Sequence, residues 1–337
     1  VRRIAERERA PMYVVGETTD DHRFVFEQKD GVRPIDLNME DMFGKAPRTV
    51  MRDETVEEKY EDVTYNAADI HQYVEQVLQL EAVACKDWLT NKVDRSVTGK
   101  VARQQCQGEI QLPLSDCGVV ALDYRGKAGI ATSIGHAPQA AMIDPAAGSV
   151  LSVAEALTNI VWAPLSEGLD SVSLSANWMW PCKNPGEDAR LYKAVEACSR
   201  FACELGINIP TGKDSLSMTQ KYGDEKVYSP GTVIISAGAE VSDVKKVVSP
   251  VLVRDARTAV YYIDFSFDAL SLGGSAFAQS LGKVGCQAPT VQDSEYFASA
   301  FNAIQQLISE GLILAGHDIS AGGMITALLE MNFANTE

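Results

Sequence analysis

The sequence predicts a mixed α/β chain with room for two domains and the edge of a third. Three observations carry this. Apolar residues make up 46% of the 337 residues while aromatics are only 7%, a balance suited to helices packed tightly on a sheet. Beyond residue 65, β-branched runs alternate with stretches of helical period. Ala, Val and Gly are plentiful, small residues that let a helix lie close on a sheet.

Residues 1–50 read as the tail of a preceding domain, with Met12–Gly16, Phe24–Phe26 and Pro34–Leu37 as short strands. The run from Arg52 to Asp62 is highly charged, with Val56 its one aliphatic residue, and residues 51–64 are expected to be a linker. Ile70, Tyr73, Val74, Val77 and Leu78 repeat at helical spacing, with Asn66 placed to cap the start. Strands are expected at Gly118–Tyr124 and Ile130–Ile134, then a helix from Val153 to Trp162 that Pro164 stops. Asp170–Ala176 is the next strand, Glu187–Leu205 a long amphipathic helix ended by Gly206, and Thr232–Val241 a β-branched strand. A new unit is expected near Ser249-Pro250. It opens with a strand at Ala259–Asp264, continues with helices at Ser275–Leu281 and Asp293–Glu310, and has a short buried strand at Leu312–Leu314. The loop His317–Gly323 and a helix at Met324–Phe333 follow. The chain begins and stops in mid-pattern and is expected to be a piece of something longer.

Net charge is −16, from 30 basic and 46 acidic residues. That argues against non-specific binding to nucleic acid or anionic membranes. A phosphate ligand in such a chain needs local relief from a metal ion, backbone N–H groups or a placed lysine. Seven cysteines without a C-x-x-C pair read as free thiols of a reducing compartment. With no run of about 18 apolar residues and no leader pattern, a soluble cytoplasmic protein is expected.

Four acceptors stand out: Asp116, the pair Glu155 and Asn159 on one helical face, and Asp318. Val153, Leu157, Ile160 and Val161 gather on the other side of that helix. The apolar stripe packs down and turns Glu155 and Asn159 away from the core. Alone, Glu-x-x-x-Asn fits an ordinary solvated face, and Asp116 fits a turn or cap. The Asp318 loop joins a strand to a helix with Gly322-Gly323 at the junction, where backbone N–H groups can meet an anion; a plain β–turn–α connection fits the same pattern. Together the four oxygen donors suit a hard divalent cation. Thr211–Ser217 resembles a fragment of a phosphate loop, or a surface turn. Lys86 is a candidate cation for phosphate, or a solvated lysine. His317 reads as structural.

Several runs resemble one family. They are Val97–Arg103, Pro113-Leu114-Ser115-Asp116-Cys117, Val153–Asn159, Leu174–Met179, Gly186-Glu187-Asp188-Ala189, Pro210–Ser215 and the His317–Gly323 loop. In order and spacing they are similar to the large single-chain phosphoribosylformylglycinamidine synthases. The resemblance implies two copies of an A–B domain pair followed by a glutaminase domain, with A domains of aminoimidazole ribonucleotide synthetase type whose mixed sheets pair into a barrel. Residues 1–50 would be the tail of the first B domain, 65–247 the second A domain, and 248–337 the start of the second B domain. The whole enzyme, a glutamine-dependent ligase of purine biosynthesis, converts formylglycinamide ribonucleotide, glutamine and ATP to formylglycinamidine ribonucleotide, glutamate, ADP and phosphate. ATP would activate the amide oxygen as an iminophosphate, which ammonia from glutamine displaces.

By the same resemblance this chain carries an auxiliary site for Mg2+ and ADP or ATP and is inactive alone. Asp116, Glu155, Asn159 and Asp318 would be metal ligands, Ser115 and Ser320 would touch nucleotide, and Lys86 would meet its phosphates. Ala321 departs from the family's usual aspartate. The implied partners are the remaining domains of the parent enzyme, and a homodimer is expected through the exposed sheet face. Two alternatives stay open: a scaffold module that binds no nucleotide, and a stand-alone kinase or cyclo-ligase of the same superfamily.

Overall fold

A computed structural model describes residues 1–45, 48–85 and 99–334. Packing divides the chain into two units, Val1–Met51 and Arg52–Glu337.

The first unit has little interior. Helix α1 (Arg2–Arg7) precedes an antiparallel hairpin of β1 (Arg23–Phe26) and β2 (Ile35–Asn38), then the short α2 (Met39–Phe43). Polar cross-strand contacts hold the hairpin: Arg23 pairs with Asp36 and donates to Asn38 at 3.1 Å. Met12–Gly16, expected as a strand, has no ladder partner and lies exposed.

The second unit is built on a six-stranded sheet in the order β3 (Val101–Arg103), β6 (Gly118–Ala121), β7 (Gly129–Gly135), β12 (Thr232–Val241), β8 (Ser173–Met179), β9 (Asn208–Ser215). Every pairing is antiparallel except β8–β9, so the sheet is mixed. Two small hairpins stand beside it, β4 (Cys106–Gln107) with β5 (Leu112–Pro113), and β10 (Thr219–Tyr222) with β11 (Glu225–Tyr228). Thr211–Ser217, read from sequence as a loop, is mostly the exposed edge strand β9. Its Gly212 and Lys213 carry no strand signal, and pairing with β8 imposes the extended form.

One sheet face is covered. After α3 (Ile70–Leu78) and α4 (Pro138–Ile143), the long α5 (Pro145–Ile160) lies on β7 and β12, with α6 (Glu187–Glu204) beside it. The periodicity that placed a helix at Val153–Trp162 caught only the second half of α5. The first half is made of small residues, Ala146-Ala147-Gly148-Ser149, which lack an apolar stripe. They let α6 approach instead, and Ser149 Oγ donates to Ala194 O at 2.8 Å. Asp144 caps the start, accepting from Ala146 N at 2.8 Å. Val153, Leu157, Ile160 and Val161 are fully buried.

Gly135 allows the close contact between α5 and the sheet, since a Cβ there would lie 2.3 Å from both Ala156 N and Ser152 O. The opposite sheet face is open. Burial alternates strictly along β7, leaving Ile130 and Ile134 47% and 59% exposed.

After β12, α7 (Ala276–Ser280) packs on α3, and α8 (Ser294–Ser309) sends Phe297, Phe301, Ile304 and Ile308 into the same core as the sheet. Phe297 stacks between Phe201 at 5.7 Å and Phe265 at 5.1 Å. Gln305 of α8 closes the end of α5: its amide accepts from Leu165 N at 2.8 Å and donates to the carbonyls of Val161 and Ala163. Helix α9 (Gly323–Phe333) ends the described chain.

Two expected strands are absent. Ala259–Asp264 and Leu312–Leu314 form no strand ladder, with Tyr261 81%, Leu312 63% and Leu314 57% exposed. A β-branched or apolar run becomes a strand only where a neighbour completes its ladder. The charged segment after Arg52 has no regular structure yet is docked. Asp53 accepts from the N–H groups of Gly186, Asp188 and Ala189 at 3.0–3.3 Å, capping α6, and Val63 is buried.

Candidate cation site

Three segments far apart in sequence meet beside the β7 end of α5. Asp116 sits between β5 and β6, anchored by its neighbour Ser115, whose N–H and hydroxyl donate to the carbonyls of Gln105 at 3.1 Å and Gln104 at 2.7 Å. Glu155 and Asn159 come from α5. Asp318 comes from the loop before α9, where Gly322 takes φ +98° to turn the chain into the helix. Gly316, two residues earlier, ties the loop down by donating to Ser249 O at 3.1 Å.

The Asp116, His317 and Asp318 side chains offer ligand atoms within 4.8 Å of one another. Glu155 lies close enough to Asp116 and Asp318 for its charge to raise the proton affinity of Asp318. Asn159 Nδ2 donates to Glu155 O at 2.9 Å and Ile134 O at 3.2 Å. The structure therefore groups Asp116 and Asp318 with His317, sets Glu155 within range of their charge, and leaves Asn159 one turn along the same helix, bonded to the backbone. Ser115 is close by, with its hydroxyl spent on the backbone. Ser320 is exposed at the start of the tight turn into α9, its carbonyl accepting from Gly323 N at 3.0 Å. Lys86 lies outside the described residues.

The electrostatics are those of crowded carboxylates with too little positive charge. Burial, then the charge of Asp116, pushes Glu155 up to about 7. Burial, then the charges of Asp116 and Glu155, pushes Asp318 well above the usual carboxylate range. Burial raises Asp116 too, against the pull of His317. His317 is the compensating group. Burial disfavours its cation, but the hydrogen bonds to Asp116 and Glu330 prevail and lift it to about 10. Its Nδ1 lies 2.6 Å from Asp116 Oδ1 and its Nε2 2.9 Å from Glu330 Oε2. Sequence reasoning took His317 as structural and had no signal for Glu330, which stands on a different element and reaches the site only through tertiary packing.

The donor set fits a hard cation. Among the described residues, Asp318 Oδ2 is buried without a hydrogen-bond partner, a costly state that a cation relieves. The remaining donors are carboxylate and amide oxygens, as magnesium prefers. His317 has both nitrogens engaged by carboxylates.

Residues 85–240 match the family described as the FGAR-AT PurM_N-like domain. The chain is 40% identical over 349 residues to phosphoribosylformylglycinamidine synthase of Homo sapiens, covering 98% of this chain and 26% of that protein. The enzyme of the same name from Drosophila melanogaster is 38% identical over 348 residues, with the same coverage. The chain thus spans about a quarter of the length of the curated relatives it matches. Among solved structures, "T. maritima PurL complexed with FGAR" superposes with a TM-score of 0.54 at 15% identity, over 78% of this chain and 38% of that one, a likeness of fold. Among the described residues no helix is long and apolar enough to cross a membrane.

Proposed function

We propose, from the premise that this chain is homologous to one quarter of phosphoribosylformylglycinamidine synthase, that it serves the ATP- and glutamine-dependent formation of formylglycinamidine ribonucleotide. Its own part is to hold an auxiliary magnesium–ADP complex rather than to carry out the chemical step. The observation that carries this reading is the meeting of Asp116 and Asp318 from separate segments, with the half-buried Glu155 within range of their charge and one Asp318 oxygen orphaned. Asp116, Glu155, Asn159 and Asp318 would hold the cation, and Ser320 and the N-terminus of α9 would face the nucleotide. The bound ion would supply positive charge that lets those carboxylates and the nucleotide phosphates share one pocket. In this reading Asp116, Glu155, Asn159 and Asp318 bind and orient rather than react.

Residues 65–247 are then an A domain and 248–337 the beginning of a B domain of the parent enzyme. The open face of the sheet, with Val120, Ile130 and Ile134 exposed, suits pairing with a second sheet, either another domain of the parent or a second copy of this chain. The test is isothermal titration calorimetry with ADP and Mg2+ on the 337-residue chain and on the Asp318→Asn variant. Magnesium-dependent ADP binding that weakens at least tenfold in the variant is the expected result. Binding that is unaffected by either EDTA or the substitution would refute the site.

A further inference from the structure

The His317–Glu330 contact lies outside the set of four proposed ligands, yet it bears on one of them. Asp116 Oδ1 is held at 2.6 Å by His317 Nδ1, which sets the orientation of the carboxylate beside Asp318. An imidazole is a flat ring on two rotatable bonds, and a single hydrogen bond leaves it free to swing. Here Glu330 Oε2, 2.9 Å from Nε2, fixes the far end. The His317 and Asp116 side chains are 8% and 4% exposed, so water is not a ready substitute for either partner. Glu330 is the outer member, with a 30% exposed side chain. It stands on α9, whose first turn closes the loop carrying Asp318, and Thr326 Oγ1 of the same helix donates to Gly322 O at 2.9 Å.

We propose that Glu330 is a positioning residue: acting through His317, it fixes which oxygen of Asp116 faces the cation site and locks α9 to the Asp318 loop. The inference rests on the magnesium–ADP reading and deepens it. Carboxylates that orient a ligand's hydrogen-bond partner are worth roughly 10–100-fold in metal affinity in other sites. Their effect appears in binding rather than in folding.

The test is the Mg2+ affinity of the 337-residue chain in saturating ADP, measured by calorimetry for wild type, Glu330→Ala and Glu330→Gln. Imidazole proton NMR of His317 is recorded in parallel. Glu330→Ala is expected to weaken Mg2+ about tenfold or more and to broaden the Nε2 proton signal by exchange with water. Glu330→Gln, which keeps an oxygen acceptor, is expected to recover most of the affinity and the signal. A purely structural role would lower the melting temperature of both variants without this split. Wild-type affinity in Glu330→Ala, with wild type itself binding Mg2+, overturns the positioning role and leaves the site intact. No magnesium-dependent binding in wild type overturns both.

Discussion

Replacing Glu155 by glutamine is expected to stabilise the metal-free protein at pH 8 and to destabilise the metal-loaded one. Burial and Asp116 raise this carboxyl from its ordinary 4.5 to about 7. A raised acid holds its proton in the folded state where the unfolded chain has already released it. Its penalty is therefore absent below the unfolded value, grows as pH climbs from 4.5 to 7, and is constant above. The span converts to about 3 kcal/mol, a sizeable share of the ~5–15 kcal/mol that holds an ordinary domain together. Glutamine keeps the shape and cannot ionise, so Glu155→Gln should remove most of that slope. The assay is urea unfolding at pH 5 and pH 8 in EDTA, repeated in excess Mg2+ with ADP. In EDTA the variant should exceed wild type by about 1 kcal/mol at pH 5 and by about 2–3 kcal/mol at pH 8. With Mg2+ and ADP the order should invert, because wild type gains a ligand that the variant holds poorly. A variant with the same pH slope as wild type would refute the view that Glu155 sits among uncompensated carboxylates.

Phe297→Ala should cost about 3–5 kcal/mol in the same urea assay, since the ring is wholly buried between Phe201 and Phe265. A loss below about 1 kcal/mol would mean that α8 is not part of the sheet's core. Gly135→Ala places a methyl against the backbone of α5. It should lower stability by about 1–3 kcal/mol and weaken Mg2+ binding as well, because α5 carries Glu155 and Asn159; unchanged calorimetry would show that helix placement does not govern the site.

Elements that bury a periodic stripe were legible in the sequence. Thr232–Val241 is a strand because its β-branched residues alternate across a half-covered sheet, and Glu187–Glu204 is a helix because its apolar residues recur on one side. Segments whose state depends on a neighbour were not. Ala259–Asp264 has the composition of a strand and lacks a ladder partner, while Gly212 and Lys213 lack the composition and have one. The acceptor residues were visible as types, but no spacing rule joins position 116 to 155 or 318. Their shared location came from resemblance; the folded chain sets Asp116 beside Asp318, with Glu155 in range of their charge. Glu330 left no trace in the sequence, since a lone glutamate on a helix is ordinary until the fold sets it against an imidazole.

Because both nitrogens of His317 are already committed to carboxylates, this imidazole has no open donor to offer a cation beside Asp116 and Asp318. Zinc and copper, which outcompete magnesium where imidazole is free, gain little from this ring. The histidine that looks most like an invitation to a transition metal is what keeps such an ion at a disadvantage.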